Sequence, residues 1–359
     1  MGFDKITIPY YLQDVKDRSK QELFKVVSMF AGGGGSSTGY RLAGGKVLAI
    51  NEFIPAAQEC YAKNYPETYI FKEDIRELTG EMILKKLGLK LGELDILDGS
   101  PPCSSFSVAG KREKGWGKEK TYSDTTQRTD DLFFEFARIL KEVQPRVFIC
   151  ENVKGITIGQ AKFKLGNTQK GLFENKDNSI IQELTNCGYK VKFKVLNAMY
   201  YGVPQRRERT IFIGVRNDIK KEITFPEKQF PIITAGQAFG GLKKADIDPE
   251  CNIEKYAIYQ ESLKLSAGEQ STKYFSLLKL KSNEVSATIT ATSSTLGAAC
   301  PIHWDNRKLS VKETIRLFSF PDDYYLGETY SQKIERLGRA VPPFMMKAIA
   351  EHVYNTILK

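Results

Sequence analysis

The chain has 359 residues, of which 41% are hydrophobic and 27% charged, a composition that excludes collagen-like and mainly disordered proteins. It holds no apolar run near the ~18 residues of a membrane span and opens without a secretory signal, so we expect a cytoplasmic protein. The net charge of +10 fits either a polyanionic partner such as nucleic acid or a solvated basic surface.

Short apolar runs alternate with helical patterns through the first part of the chain, up to about residue 216. Apolar residues at helical spacing from Leu132 to Val143, followed by Pro145, predict one helix clearly. This alternation favours a parallel α/β sheet with ligands at the carboxyl ends of its strands. The predicted strands are residues 24–30, 46–51, 68–71, 94–97, 147–150, 190–197 and 210–215.

The pattern becomes irregular over residues 217–306, where prolines and small residues are frequent. We interpret this stretch as a second, smaller domain after a first domain at 1–216. Helical periodicity returns near the end, with Met345, Ile349 and Val353 in register. We therefore expect the segment 307–359 to pack back on the first domain.

Isolated cysteines and a shortage of histidine make a metal site or a disulfide framework improbable, so we expect no metal. The two histidines are His303 and His352, and no two cysteines form a C-x-x-C pair. Most of the thiols should be small buried apolar groups. The cysteines are Cys60, Cys103, Cys150, Cys187, Cys251 and Cys300.

A glycine-rich turn at residues 30–39 follows the first predicted strand and precedes a helix, which lets the backbone approach a ligand closely. Its spacing is not G-x-G-x-x-G, which disfavours a nucleotide-dependent dehydrogenase. Glu52, at the end of the second strand, could accept hydrogen bonds from ribose hydroxyls, and Asp74 could reach an adenine edge. A structural turn beside two solvated acids is the alternative.

Three further polar motifs follow strand ends. The sequence PPC at 101–103 places a thiol after two rigid prolines, although a lone cysteine is more often a buried structural residue. Glu151 ends the fifth strand and could donate a proton, unless it is an exposed loop acid. The sequence QRRER at 205–209 suits phosphate or base-edge contacts, or a surface ion-pair network.

In this order, the motifs resemble those of the DNA cytosine-5 methyltransferases, over about 24–216 and 307–352. The resemblance extends to a ninth motif at 307–322 and a tenth at 338–343. It implies a Rossmann-like class I methyltransferase sheet, a smaller target recognition domain at 217–306, S-adenosylmethionine as cofactor and double-stranded DNA as substrate. The implied cofactor-binding residues are Phe30, Ala31, Gly32, Gly34, Glu52, Phe53, Asp74, Ile75, Pro101, Leu132, Arg339 and Ala340.

The resemblance also implies covalent catalysis on a cytosine rotated out of the duplex. Cys103 would add to C6 of the base as a thiolate, and Glu151 would hydrogen-bond or protonate N3. Arg207 and Arg209 would supply positive charge near the thiol, and Arg209 would contact O2 or a flanking phosphate.

The segment 104–128 is basic, with a net charge of +3, and holds three glycines. Beside a nucleophile it is interpreted as a lid that closes over DNA, with a disordered surface loop as the alternative. The predicted DNA-contacting residues are Ser107, Lys111, Arg112 and Gln205.

Three positions depart from the family pattern: Ser104 replaces the usual Gln, Ser319 the usual Gly, and Arg339 the usual Asn. None removes a group that the chemistry needs. A tRNA cytosine-5 methyltransferase and a catalytically inactive DNA-binding relative remain alternatives. We expect a monomeric enzyme of the bacterial or phage restriction-modification type, with a possible cognate endonuclease that acts independently.

Overall fold

The computed structural model describes residues 6–101, 131–154 and 180–359, together with the backbone of four short strands between these ranges. The strands are β1 (Lys25–Met29), β2 (Lys46–Asn51), β3 (Tyr69–Phe71), β4 (Ile96–Gly99), β5 (Lys120–Tyr122), β6 (Thr125–Gln127), β7 (Val147–Val153), β8 (Lys162–Leu165), β9 (Thr168–Gly171), β10 (Tyr189–Asn197), β11 (Glu208–Arg216), β12 (Leu278–Lys279) and β13 (Pro301–Ile302).

The α-helices are α1 (Leu12–Ser19), α2 (Gly35–Leu42), α3 (Pro55–Asn64), α4 (Gly80–Leu87), α5 (Leu132–Val143), α6 (Ile180–Asn186), α7 (Ala235–Ala238), α8 (Ala257–Ser262), α9 (Val311–Leu317), α10 (Tyr330–Arg339) and α11 (Pro343–Val353). Short 3₁₀ turns lie at Ala198–Tyr201, Lys244–Asp246, Pro249–Cys251 and Ala291–Ser294, and Tyr354–Leu358 is π-helical.

A seven-stranded sheet in the order β10-β11-β7-β4-β1-β2-β3 forms the centre of the protein. The five neighbouring strands β7, β4, β1, β2 and β3 are mutually parallel, as predicted, and β10 runs in the same direction. The prediction is wrong for β11, which is antiparallel to both of its neighbours. The connection from β10 to β11 is too short for the crossover that parallel strands need, so the chain turns back directly.

The two faces of the sheet bury different sets of side chains, because successive residues of a strand point to opposite sides. Val26, Ile96 and Ile149 face one core, which also contains Tyr40 of α2 and Met345 of α11. Val27, Leu97 and Phe148 face the other core, which contains Phe136 of α5. Polar residues two positions further along these strands therefore point to the same face as the first set, the face covered by α2 and α11.

The predicted helix at 132–143 and the predicted packing of the last helix are both confirmed. Helix α5 ends at Gln144, which takes a left-handed backbone conformation with φ of 51°. Helix α11 packs closely on α2: a Cβ added to Gly39 would lie 2.6 Å from Cβ of Met346. Only glycine leaves room for this approach.

The stretch 217–306 contains little regular structure, as the sequence predicts. Its strands β12 and β13 form a small parallel pair, and a local cluster of Leu277, Cys300 and Ile302 lies beside them. The boundaries at 217 and 306 stay predictions. Within the ranges given above, no helix is both long and apolar enough to cross a membrane.

Candidate active site

The glycine-rich turn joins β1 to α2 at the carboxyl edge of the sheet. Gly32 and Gly34 have φ of 54° and 91°, in the left-handed region that favours glycine. A Cβ added to Gly32 would meet no atom within 4 Å, so open space lies against this part of the backbone. The turn and the first amides of α2 can therefore approach a ligand.

Glu52 fixes this turn to the end of β2. Its Oε2 accepts a hydrogen bond from the Gly32 amide at 2.7 Å, and its Oε1 accepts one from the Ile54 amide at 2.9 Å. Burial raises the pKa of Glu52, while these amides and the charge of Arg336 oppose the shift. Each carboxylate oxygen keeps a second lone pair, which a ribose hydroxyl could use.

Asp74, which the sequence predicts to reach an adenine edge, lies in the loop after β3. Asp74 accepts hydrogen bonds from the amide and guanidinium of Arg76, and Arg76 also pairs with Asp131 at 2.6 Å. Ile75 and Leu132, which follow Asp74 and Asp131 in the chain, are buried apolar side chains. The network holds the start of α5 against the loop after β3.

The ends of β4 and β7 are joined through Asn152, whose Nδ2 donates to the Pro101 carbonyl at 3.3 Å. Pro101 is buried and is the last described residue before the PPC cysteine. Cys103, Ser104, Ser107, Lys111 and Arg112 lie outside the described residues. So does the predicted lid at 104–128, except for the backbone of the antiparallel strands β5 and β6.

Glu151 and Arg209 form an ion pair at this edge, with Nε of Arg209 2.8 Å from Oε1 of Glu151. Glu151 lies opposite Ile211 in the antiparallel pairing of β7 with β11, so Arg209 is on the same face two residues away. Both side chains are largely buried. Burial lowers the pKa of Arg209, and the charge of Glu151 opposes the shift.

Arg207 occupies a different environment from the one that the sequence suggested. Its guanidinium is buried and donates to the carbonyls of Ile289, Gly338 and Ala340 at 3.0 to 3.2 Å. Burial and the charge of Arg209 lower its pKa. A side chain enclosed in this way does not fit the predicted phosphate or base-edge contact, while its effect on the thiol stays a prediction.

Gln205 is likewise buried and hydrogen-bonded inside the protein, and its role as a DNA contact stays a prediction. Its Nε2 donates to the Leu317 carbonyl at 3.3 Å, and its Oε1 accepts from the Ile289 amide at 3.3 Å. The side chain is fully buried. Both of its hydrogen-bonding ends are therefore used within the protein.

The ninth and tenth motifs act mainly as scaffolding in this structure. Arg316 pairs with Asp322 at 2.7 Å inside the core and also donates to the carbonyls of Ala238 and Gly240. These contacts attach α7 of the irregular stretch to the C-terminal segment. Arg339, a predicted cofactor residue, is exposed and pairs with Glu335 at 2.8 Å.

Two residues near the site were missed by sequence reasoning. Arg336 of α10 lies across the glycine-rich turn, with Cγ 2.7 Å from a Cβ added to Gly33. Asp98 of β4 is buried beneath α2, where the hydroxyls of Ser28 and Tyr40 donate to it. The sequence carries a signal only for Asp98, which is a charged residue inside an apolar strand just before PPC.

The described side chains contain no group of three or more histidine, cysteine or acidic residues arranged to hold a metal ion. What the edge of the sheet does offer is an open glycine turn with a buried carboxylate beside it, and a second carboxylate held by an arginine. The glycine turn and the carboxylate of Glu52 can bind a nucleoside. The carboxylate of Glu151, held by Arg209, can exchange a proton with a heterocyclic base.

Comparison with known sequences supports this interpretation. A sequence model of C-5 cytosine-specific DNA methylases matches residues 24–355. The Type II methyltransferase M1.HphI of Haemophilus parahaemolyticus is 31% identical over 348 residues, which cover 91% of this chain and 86% of that protein. M.NgoPII of Neisseria gonorrhoeae is 26% identical over 367 residues, covering 93% and 96%.

Solved structures show the same fold. A protein assigned as a DNA modification methyltransferase from an E. coli prophage superposes with a TM-score of 0.73 at 22% identity, covering 94% of this chain and all of that chain. A mutant of DNMT2 from Spodoptera frugiperda gives 0.64 at 19% identity, with coverage of 94% and 100%. The chain belongs to the C-5 cytosine-specific DNA methylase family and is a DNA cytosine-5 methyltransferase.

Proposed function

We propose that the protein transfers a methyl group from S-adenosylmethionine to C5 of a cytosine that is rotated out of a specific double-stranded DNA sequence. The observation that carries this proposal is the 2.8 Å ion pair between Glu151 and Arg209. It joins the acid of one motif to the last arginine of another, at the strand edge from which the PPC segment leaves.

The described residues fit the cofactor. The open space at Gly32 would take the nucleoside against the backbone of the turn, and Glu52 would accept from its ribose hydroxyls. Phe30, Ala31, Gly34 and Phe53 line the same turn and strand end. Asp74, Ile75 and Pro101 lie just after the neighbouring strands β3 and β4, and Leu132 begins α5. When bound, S-adenosylmethionine supplies an electrophilic methyl group.

The chain's own residues make cytosine C5 reactive, because this carbon is a weak nucleophile on its own. The Cys103 thiolate adds to C6, and the electron pair of the C5–C6 double bond moves into the ring. Glu151 hydrogen-bonds or protonates N3 and so limits the negative charge there. After C5 is methylated, a water molecule takes the C5 proton, the bonding pair re-forms the C5–C6 double bond, and the C6–S bond breaks to release Cys103 as a thiolate.

Arg209 contributes to this reaction in two ways. Its guanidinium fixes one oxygen of Glu151, which leaves the other oxygen to face N3. Its remaining N–H groups can donate to O2 of the base or to a flanking phosphate. Arg207 acts at a distance: it anchors the tenth motif, whose residues Arg339 and Ala340 would complete the cofactor site.

Eversion of the target base is required because the thiol cannot reach C6 inside a stacked duplex, at a cost of a few kcal/mol. The basic segment 104–128, with Ser107, Lys111 and Arg112, would close over the DNA as a lid. Residues 217–306 would form the target recognition domain. Relatives named Type II methyltransferases favour a restriction-modification role, with a monomeric enzyme and an independent endonuclease.

Duplex DNA carrying 5-fluorocytosine tests the covalent step, because fluorine cannot leave C5 as a proton does. We expect an adduct that peptide mapping places on Cys103 in the wild type and that is missing from Cys103→Ser, which still binds S-adenosylmethionine. An adduct on another cysteine contradicts the assignment. Transfer of labelled methyl to tRNA rather than to duplex DNA would favour the tRNA alternative.

A further inference from the structure

The carbonyl of Gly33, in the glycine-rich turn, is held by a side chain from the C-terminal segment. Oη of Tyr324 donates to it at 2.6 Å, and the two residues are 291 positions apart in the chain. Sγ of Cys60 makes a longer contact with the same oxygen, at 3.9 Å. Tyr324 follows the ninth motif, so this hydrogen bond joins that motif to the turn where the proposed cofactor site lies.

The hydrogen bonds of helix α2 do not fix this carbonyl. They begin one residue later, where the Gly34 carbonyl accepts from the amide and the hydroxyl of Thr38, both at 2.8 Å. A residue before the N-cap lies outside the hydrogen-bond pattern of the helix. The orientation of the Gly33 carbonyl therefore depends on a donor from elsewhere, and Tyr324 supplies it.

A run of four glycines, from Gly32 to Gly35, makes such a donor important. Gly32 and Gly34 take left-handed conformations here, whereas glycine in a free chain populates positive and negative φ about equally. The Glu52 carboxylate holds the amide of Gly32, and Tyr324 holds the carbonyl of the next residue. Two side chains thus fix two successive residues of a flexible turn.

The Tyr324 side chain is itself held firmly. It is buried, and its ring packs against Phe320 and Tyr65 with centroids 4.9 and 6.1 Å away. Burial raises the pKa of Tyr324 well above its ordinary value, so the hydroxyl keeps its proton and stays a donor. The next residue, Tyr325, is attached to α3, because Asn64 donates to its carbonyl and accepts from its amide.

The Tyr324 hydroxyl and the open ligand space lie beside different glycines of the turn. A Cβ added to Gly34 would lie 2.5 Å from Oη of Tyr324, whereas one added to Gly32 would meet no atom within 4 Å. The tyrosine therefore fills the space beside Gly34, and the space beside Gly32 stays open. Tyr324 supports the turn without occupying the place of a ligand.

We propose that Tyr324 is a positioning residue for the cofactor: its hydroxyl holds the Gly33 carbonyl and so keeps the turn in the conformation that receives the nucleoside. This inference rests on the proposed function, in which S-adenosylmethionine binds at this turn. A preorganised turn loses little conformational freedom when a ligand binds, so the effect of Tyr324 is on cofactor affinity. The rate at saturating cofactor should not depend on it.

Tyr324→Phe removes the hydroxyl and keeps the ring that packs against Phe320 and Tyr65. Isothermal titration calorimetry with S-adenosylhomocysteine measures affinity in the absence of any reaction. We expect the variant to bind about five- to ten-fold more weakly than wild type, as expected for the loss of one buried hydrogen bond. An affinity within about two-fold of wild type overturns the proposal.

Tyr189→Phe is the matched control. Tyr189 is fully buried, and its hydroxyl donates to the Pro145 carbonyl at 2.7 Å. Because β10 runs in the same direction as the parallel strands, its first residue lies at the edge of the sheet opposite the site. We expect Tyr189→Phe to bind S-adenosylhomocysteine as wild type does. Equal losses of affinity in the two variants would indicate general destabilisation and contradict the proposal.

Replacement of Tyr324 by 4-aminophenylalanine restores an N–H donor of similar size at the same place. This variant should recover most of the affinity that Tyr324→Phe loses, and it keeps the test open if the phenylalanine variant folds poorly. Without such recovery, the donated hydrogen bond is not the source of the affinity, and the proposal is wrong.

Hydrogen–deuterium exchange provides the local readout. Without ligand, the peptide spanning residues 31–37 should exchange faster in Tyr324→Phe than in wild type, because the turn opens more often. Bound S-adenosylhomocysteine should remove most of this difference. Identical exchange in the two free proteins would mean that the hydroxyl does not hold the turn.

Single-turnover methylation separates positioning from a general structural role. The cofactor concentration that gives half the maximal rate should rise about five- to ten-fold in Tyr324→Phe, while the rate at saturating cofactor stays within about two-fold of wild type. A lower saturating rate with an unchanged half-maximal concentration contradicts the proposal.

The same measurements distinguish this inference from the proposed function. If the wild-type protein does not bind S-adenosylhomocysteine, the proposed function fails and takes this inference with it. If the wild type binds it and methylates duplex DNA, and Tyr324→Phe binds it equally well, the proposed function stands and the role of Tyr324 is refuted.

Discussion

The Arg207 guanidinium donates a 3.0 Å hydrogen bond to the main-chain carbonyl of Gly338, and this contact joins β11 to the tenth motif. Gly338 lies inside α10, where a Cβ would come within 2.3 Å of the Ala291 backbone nitrogen. The Ile289 carbonyl of the same stretch accepts a further bond from Arg207. One buried arginine thus connects the catalytic sheet, the predicted recognition stretch and the predicted cofactor segment.

Arg207→Ala should lower the free energy of unfolding by about 3 kcal/mol, because three buried carbonyls lose their charged donor. Urea denaturation measures the change. Arg206→Ala is the matched control, since Arg206 is exposed and its loss should cost under about 0.5 kcal/mol. Equal effects of the two substitutions would show that Arg207 is not the connector described here.

The sequence predicts the strands of the sheet well because most of them are buried apolar runs, and every observed end lies within three residues of its predicted position. It does not predict α1, a helix in which only Val15 is buried and most residues are polar. Nor does it predict the direction of β11, which depends on the length of its connection rather than on its side chains.

The sequence likewise predicts the location of some site residues but not the environment of others. Motif residues at strand ends, such as Glu52 and Glu151, could be placed from the sequence because the carboxyl ends of neighbouring parallel strands share one edge. The sequence QRRER does not distinguish an arginine that faces solvent from one that is enclosed. In the structure, Arg206 is exposed. Arg207 is buried and hydrogen-bonds to main-chain carbonyls, whereas Arg209 pairs with the acid Glu151.

Glu151→Gln should reduce the single-turnover rate of methylation by at least about 100-fold, because an amide cannot protonate N3. Cofactor affinity, measured by calorimetry, should change by less than about two-fold, since Glu151 is not among the residues placed at the glycine turn. The control is Glu208→Gln, an exposed acid one residue from Arg209 that pairs with Lys154. A wild-type rate in Glu151→Gln would remove Glu151 from the mechanism.

Ser319 replaces the family's glycine at a position where the backbone is left-handed, with φ of 56°. Its hydroxyl accepts a hydrogen bond from the Phe344 amide at 3.1 Å, which glycine would lose. Ser319→Gly should therefore change the free energy of unfolding by less than about 0.5 kcal/mol, because relief of strain offsets the lost bond.

Ser319→Ala isolates the two effects, since alanine keeps the strained backbone and loses the hydroxyl. We expect it to be less stable than wild type by about 1 kcal/mol in urea denaturation. A more stable Ser319→Ala would show that the hydroxyl does not compensate for the left-handed conformation. The serine would then have no structural explanation.

His303 should make the protein sensitive to acid. It is buried against Trp304 and Phe239, and burial, helped by the charge of Arg307, lowers its pKa to about 4. The unfolded chain binds a proton near pH 6.5, whereas the folded chain stays neutral until much lower pH. Unfolding therefore takes up a proton between these values, and stability falls as the pH is lowered.

As the pH falls from about 6.5 to about 5, protonation of His303 in the unfolded chain should lower the free energy of unfolding by up to about 2 kcal/mol. His303→Gln removes the titration, so its stability should decline less over that interval, whatever the substitution costs at neutral pH. Urea denaturation of both proteins at the two pH values measures the difference. Parallel decline in wild type and variant would mean that His303 is protonated in the folded protein, and that other groups cause the acid sensitivity.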